Sequence, residues 1–158
     1  MDTLFTKAMD DMIISNAMDI LRTRISLRHY GSEHDAESIG KLLVLQMGEL
    51  TYEVFDAMFF NKTGQLLKQV RLARGTVDSC VVYVRELVRE AILCNAVSVV
   101  IAHNHPSGGK SFSMADIDLT CQAKAALATV SIRLIDHILV SGADSISFRG
   151  DKDEQSWA

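Results

Sequence analysis

Phe5, Met9, Ile13, Ala17 and Ile20 recur every three to four positions, which predicts an amphipathic first helix running towards the basic cluster Arg22, Arg24 and Arg28. A second helix is predicted from about Ser32, a good cap, through Ile39, Leu43 and Met47, with Gly40 as its weak point. These two make an N-terminal helical segment, residues 1–45. The pattern then changes. Val54 to Phe60 is almost continuously apolar, Asn61-Lys62-Thr63-Gly64 reads as a turn, and Leu66 to Leu72 is strand-like, so the stretch predicts a hairpin. Leu87, Val88, Ala91 and Ile92 mark a helix from about Val84 to Asn95, and Val97 to Ala102 reads as a buried strand. After a polar, glycine-bearing loop, Met114, Ile117 and Cys121 keep helical spacing from Ser113 into an alanine-rich stretch. Ile132 to Val140 reads as a strand apolar on both faces, on which Asp136 shares a face with Ile132, Leu134, Ile138 and Val140. Ile146 to Phe148 reads as a short last strand. The order α-α-β-β-α-β-α-β-β predicts an α/β domain with a mixed β-sheet flanked by helices.

At 158 residues and 48% hydrophobic, the chain can bury a core without staples. The longest apolar stretch, 96–102, falls far short of the roughly 20 residues that span a bilayer, and the acidic start at Asp2 is unlike a signal sequence. The expectation is a cytoplasmic protein with no membrane partner. Cys80, Cys94 and Cys121 are odd in number and lack C-x-x-C spacing, so they are expected to be reduced, mostly buried thiols. The net charge is −4, and its acidic excess sits at the ends. Asp2, Asp10, Asp11 and Asp19 face only Lys7, and Asp151, Asp153 and Glu154 face only Lys152 in an acidic tail, 151–158. The interior is close to neutral, which argues against tight direct DNA binding. Lys62, Lys68, Arg71 and Arg74 read as a solvated strand face.

The chemistry concentrates in the loop from His103 to Asp116. If the chain stays extended past the strand, His103 and His105 point the same way, because strand side chains repeat with period two. Asp116 starts the next helix, where the loop can fold back beside them. Two imidazoles and one carboxylate form a three-ligand zinc set with a fourth position for water, whose pKa the metal lowers towards neutrality. Against this, Ser113 and Asp116 also read as an ordinary helix cap with its first-turn acid, and His103 as a core histidine. Gly109-Lys110-Ser111 offers a second hypothesis, a phosphate loop. It fails where the pattern needs its first glycine, because that residue is Asn104, and Pro106 stiffens the interval.

His103-Asn104-His105-Pro106, Ser113 and Asp116 match the JAB/MPN metalloprotease motif H-x-H-P-x6-S-x2-D. More specifically, His103 to Gly108, Ser113 to Ile117 and Ile135-Asp136-His137 resemble the signature regions of the bacterial RadC family, over residues 45–150. The resemblance implies a JAB/MPN, cytidine deaminase-like architecture for residues 46–150, with one zinc held by His103, His105 and Asp116. It implies Ser113 as oxyanion stabiliser and Glu53, on the first strand, as general base and proton shuttle. A hydrolase acting on peptide or isopeptide bonds of a protein or peptide substrate is the implied activity. The alternative is a non-catalytic DNA-repair or mobile-element module, after the family's historical label. Val84 and Phe112 stand where the family has proline. Asp136 could support a zinc histidine from behind or, equally, make a structural hydrogen bond to a neighbouring loop; His137 reads as a partly exposed strand residue, and Ser107 and Ser111 as turn residues. The N-terminal helix could pack on its own domain or on a second copy, giving a homo-oligomer.

Overall fold

The computed structural model describes residues 2–27, 33–75 and 81–151. In chain order these form α1 (Asp2–Leu27), α2 (Glu33–Met47), β1 (Val54–Phe60), β2 (Leu66–Arg74), α3 (Val84–Leu93), β3 (Ser98–Asn104), α4 (Met114–Thr129), β4 (Arg133–Ser141), β5 (Asp144–Ser147) and the single turn α5 (Phe148–Asp151). Ser32, Arg28, Cys80 and residues 152–158 lie outside the described set. The five strands make one sheet in the order β2-β1-β3-β4-β5. Only β3 and β4 run parallel, joined through α4; every other neighbouring pair is antiparallel. This is the mixed-sheet α/β architecture that the element order predicts.

β1 and β3 are buried along their whole length and β4 over all but its first residue, which is why these strands read as continuous apolar runs rather than alternating ones. Helices cover both faces. On one, Ile39, Leu42, Leu43 and Met47 of α2 pack with Ile25 of α1 against Met58, Phe60, Val100 and Ile138. On the other, Leu87 and Ala91 of α3 join Ala123 and Leu127 of α4 over Phe55, Phe59, Val99 and Ile101. Each such fully buried Leu, Ile or Phe contributes about 1.5–3 kcal/mol relative to exposure. Gly40 turns out to be required. A Cβ there would collide with the Ser145 side chain, so glycine lets α2 lie directly on β5. Val84 opens α3 after Tyr83 in an extended conformation, a geometry in which a proline would be equally at home.

Two patterns came out differently from the period-based reading. The packing stripe of α1 is not Met9, Ile13 and Ile20, which are exposed; it is Met18, Leu21 and Ile25. Among the described residues the main contacts of α1 are with α2 and, less, β2, and its packed side chains lie in its second half. In β4, the register with β3 slips: Val99 pairs with Leu134 but Val100 with Asp136, leaving Ile135 as an extra residue. Such a bulge switches the faces of everything beyond it. Asp136 thus keeps company with Ile138 and Val140 but not with Ile132 and Leu134, and His137 turns to the α4 side. Among the cysteines, Cys94 is half-buried and Cys121 is exposed on α4, contrary to the expectation of burial. The basic strand face is paired within the domain, Lys68 with Glu90 and Arg71 with the buried Asp56, while the Arg74 guanidinium lies 3.9 Å over the Tyr52 ring. Among the described residues, no helix is long and apolar enough to cross a membrane.

Candidate metal centre

β3 ends at Asn104, but the His105 N–H still donates to the Val140 carbonyl at 2.9 Å, continuing the ladder with β4. The chain therefore stays extended through the H-x-H pair, and the two imidazoles meet, Nε2 to Nε2, at 3.1 Å. Directly afterwards the Gly108 N–H donates to the His105 carbonyl at 3.1 Å, closing a turn with Pro106 at its second position. The loop returns so that Ser113 caps α4. Its hydroxyl accepts from the Asp116 N–H at 3.2 Å, while its own N–H and O–H donate to Asp116 Oδ2 at 2.7 and 2.6 Å. That capping box aims the carboxylate at the histidines, with Oδ1 3.3 Å from His103 Nε2 and Oδ2 3.5 Å from His105 Nε2. The routine helix start and the donor cluster are thus the same structure.

Among the described residues, His103, His105 and Asp116 form the only group of three or more His, Cys, Asp or Glu whose donor atoms converge, all within 4.8 Å of one another. A tetrahedral zinc with ligands at about 2.0–2.1 Å would set neighbouring donors about 3.3–3.4 Å apart; the two Nε2 atoms are 3.1 Å apart, and each has a different Asp116 oxygen at 3.3 or 3.5 Å. His105 is also in the correct tautomer. Its Nδ1 lies 3.2 Å from the Gly109 carbonyl, which can only accept, so the hydrogen is on Nδ1 and the Nε2 lone pair faces the cluster. A Cβ on Gly109 would come within 3.3 Å of that Nδ1, so glycine is what allows this approach. Burial works against the Asp116 carboxylate, but the neighbouring His103 and the two bonds from Ser113 outweigh it and hold the carboxyl well below its ordinary range. By donor type, spacing and ionisation, the residues fit zinc.

Glu53 directly precedes β1 and is half-buried. Phe55 pairs with His103, so continuing that antiparallel register sets Glu53 across from His105. Asn104 secures this strand entry. Its side chain accepts from the Val54 N–H at 2.8 Å and donates to the Tyr52 and Met47 carbonyls at 3.1 and 3.3 Å. The residue that spoils the phosphate-loop pattern thus clamps both peptide neighbours of Glu53. Lys110 of that hypothesis pairs with Asp144 at 2.7 Å.

Of the two readings of Asp136 the structure has the structural bond to a neighbouring segment, and it is His137, expected to be partly exposed, that meets a zinc-site histidine. Asp136 faces away, accepting from Ser147 Oγ at 2.6 Å and from the His137 and Arg149 N–H groups at 2.8 and 3.2 Å. His137 is wholly buried, with Nε2 2.8 Å from His103 Nδ1 and Nδ1 2.6 Å from Thr120 Oγ1. Burial pushes its pKa well below the ordinary imidazole value. Thr120 was not singled out by the motif; its signal is the spacing of four from Asp116, which places both on one side of α4. Phe112 fills space beside the imidazoles. Its ring lies 5.8 Å from His103, 5.1 Å from His137 and 5.0 Å from Phe148, with Phe55 stacked on His103 from β1.

A mixed sheet that gathers two histidines from a strand end and an aspartate from the following helix defines a JAB-type α/β domain. The model of the RadC-like JAB domain matches residues 34–154. The chain belongs to the RadC family. A UPF0758 protein of Vibrio cholerae serotype O1 is 34% identical over 154 residues, 98% of this chain and 93% of that protein. Similar proteins of the same designation from Janthinobacterium sp. (strain Marseille) and Haemophilus ducreyi are 41% and 38% identical, over 74% and 66% of this chain. The chain spans about half the length of these two, 52% and 47%.

Proposed function

We propose that the domain is a zinc-dependent hydrolase that cleaves peptide or isopeptide bonds in a protein or peptide substrate. The observation that carries this reading is the convergence of His103 Nε2, His105 Nε2 and the Asp116 carboxylate, the imidazoles 3.1 Å apart, with Oδ1 3.3 Å from His103 and Oδ2 3.5 Å from His105. Bound there by three protein ligands, zinc supplies a Lewis acid and makes water a nucleophile near neutral pH. The Glu53 carboxylate, across the strand pair from His105, takes a proton from the attacking water and returns it to the leaving amine. Ser113 stabilises the oxyanion by swinging its hydroxyl hydrogen from Asp116 to the carbonyl oxygen; its main-chain N–H keeps Asp116 in place meanwhile. Phe55, Phe112 and Phe148 keep the imidazole side of the site dry, which strengthens each of these interactions.

Metal analysis and a peptide and isopeptide substrate panel test the reading. The purified chain should hold about one zinc, lost in His103→Ala and Asp116→Ala, while Glu53→Gln should retain zinc and lose hydrolysis. Failure to take up zinc overturns the proposal, and unchanged turnover in Glu53→Gln removes Glu53 as base. Zinc uptake without any hydrolysis, together with DNA binding that falls steeply with salt, would favour the repair-module alternative.

A further inference from the structure

We propose that His137 and Thr120 are positioning residues of the metal site, which lock His103 into the tautomer whose Nε2 lone pair is free to bind the ion. The inference rests on the metal reading above and follows from counting hydrogens along a chain of short contacts. Thr120 Oγ1 lies 2.6 Å from the Asp116 main-chain carbonyl oxygen. The carbonyl has no hydrogen, so the hydroxyl hydrogen must lie in that contact. Thr120 has no second hydrogen, so its 2.6 Å contact with His137 Nδ1 is filled from the imidazole side. His137 is wholly buried, and an imidazole shut away from water is held in its one-hydrogen form, so with that hydrogen on Nδ1 its Nε2 is a bare lone pair. Across the 2.8 Å contact with that lone pair, His103 Nδ1 must carry the hydrogen. His103 Nε2, on the cluster side at 3.1 Å from His105 Nε2 and 3.3 Å from Asp116 Oδ1, is left free to bind.

The reverse polarity is excluded by the same count. It would leave two oxygens 2.6 Å apart with nothing between them, and it would place a hydrogen on His103 Nε2, closing it to a metal. The relay is also a closed circuit. It starts on one proposed ligand, crosses from β3 to β4 to α4, and ends on the main chain of another, Asp116. One set of bonds therefore fixes both the proton on His103 and the distance between the two elements that carry the donors. His105 needs no such relay, because its Nδ1 reaches the Gly109 carbonyl directly. Thr120, 1% exposed, is the polarity-setting member, since a hydroxyl committed to a carbonyl can only accept from its other neighbour.

Chelator competition for zinc, with long-range 1H–15N spectra of the metal-free chain at pH 8, tests this. Thr120→Val keeps the shape but removes both contacts, and His137→Phe removes the acceptor. Both should weaken zinc binding about 10–100-fold. Thr120→Ser and His137→Gln, which keep a hydroxyl and an acceptor respectively, should bind close to wild type. In the wild type the His103 hydrogen should be found on Nδ1, and Thr120→Val should lose that preference, a change that a merely structural threonine would not produce. If the wild type binds zinc and folded Thr120→Val binds it equally well, or if the wild-type hydrogen sits on Nε2, the relay is overturned and the metal reading survives. A wild-type chain that takes up no zinc overturns the metal reading and the relay with it.

Discussion

Asn104→Ala probes how the entrance to β1, and with it Glu53, is held. Asn104 is 2% exposed and makes three hydrogen bonds to main-chain groups. Their losses are unequal. The Met47 carbonyl keeps the Leu50 N–H at 3.2 Å, and Tyr52 is half-buried, so water can reach its carbonyl. The Val54 N–H has no such recourse, because Val54 is fully buried and Asn104 Oδ1 is its partner. An orphaned buried donor costs about 1–3 kcal/mol, and the two weaker bonds add roughly 0.5 kcal/mol each. The expected destabilisation is thus about 2–4 kcal/mol, which for a chain of this size lowers Tm by roughly 4–16 °C. Urea unfolding of the metal-free protein, followed by circular dichroism, measures it, with an unchanged m value showing that only stability moved. Asn104→Asp sharpens the test. It keeps an acceptor for Val54 but turns a carboxylate oxygen towards the two carbonyls, so it should be at least as unstable as the alanine variant. A loss below about 1 kcal/mol in Asn104→Ala, or a wild-type-like Asn104→Asp, would refute the reasoning.

Other consequences can be checked in the same preparations. Gly109→Ala should push His105 from its carbonyl anchor and weaken zinc binding with little change in Tm, and unchanged affinity would show that the 3.3 Å approach is not limiting. Ser113→Ala removes the α4 cap, for an expected loss of about 1 kcal/mol, while Ser113→Thr should restore it; a Tm equal to wild type would count against the capping box as a stabilising feature. Burial raises the Asp136 carboxyl above its unfolded value, against the bonds from Ser147, Arg149 and His137. The folded state therefore holds this proton more tightly, and Asp136 erodes stability as pH climbs from the unfolded value through the folded one. Asp136→Asn, which stays neutral and can donate to Ser147, should gain on the wild type between pH 4 and 7 in urea titrations; a pH-independent difference would contradict this.

What could be read from residues alone was what depends on local spacing. The period-two separation of His103 and His105 and the capping pattern of Ser113 with Asp116 are short-range features, and the structure builds both as written. The hairpin around Asn61 and the helix over Val84–Leu93 likewise follow from periodicity and turn chemistry. What escaped depends on pairing across the sheet. Whether Asp136 or His137 faces the histidines turns on Ile135, and the residues of β4 alone do not reveal that it bulges; the misfit shows only against β3. Asn104 could be recognised as not a glycine, but not as a clamp, because its partners lie about fifty positions earlier in the chain. Thr120 was invisible for the same reason, since its meaning comes from His137.

The relay also bears on the order in which the site can be completed during synthesis. All three proposed donors, and Glu53, have been made once residue 116 is joined, yet His103 has no fixed proton partner until β4 threads in beside β3 and delivers His137. Until then the nascent segment carries the ligands without the geometry, and His103 is free to adopt either tautomer. A ribosome-bound chain that stops short of residue 137 should therefore bind metal loosely and promiscuously, and acquire its selectivity only when the parallel strand closes.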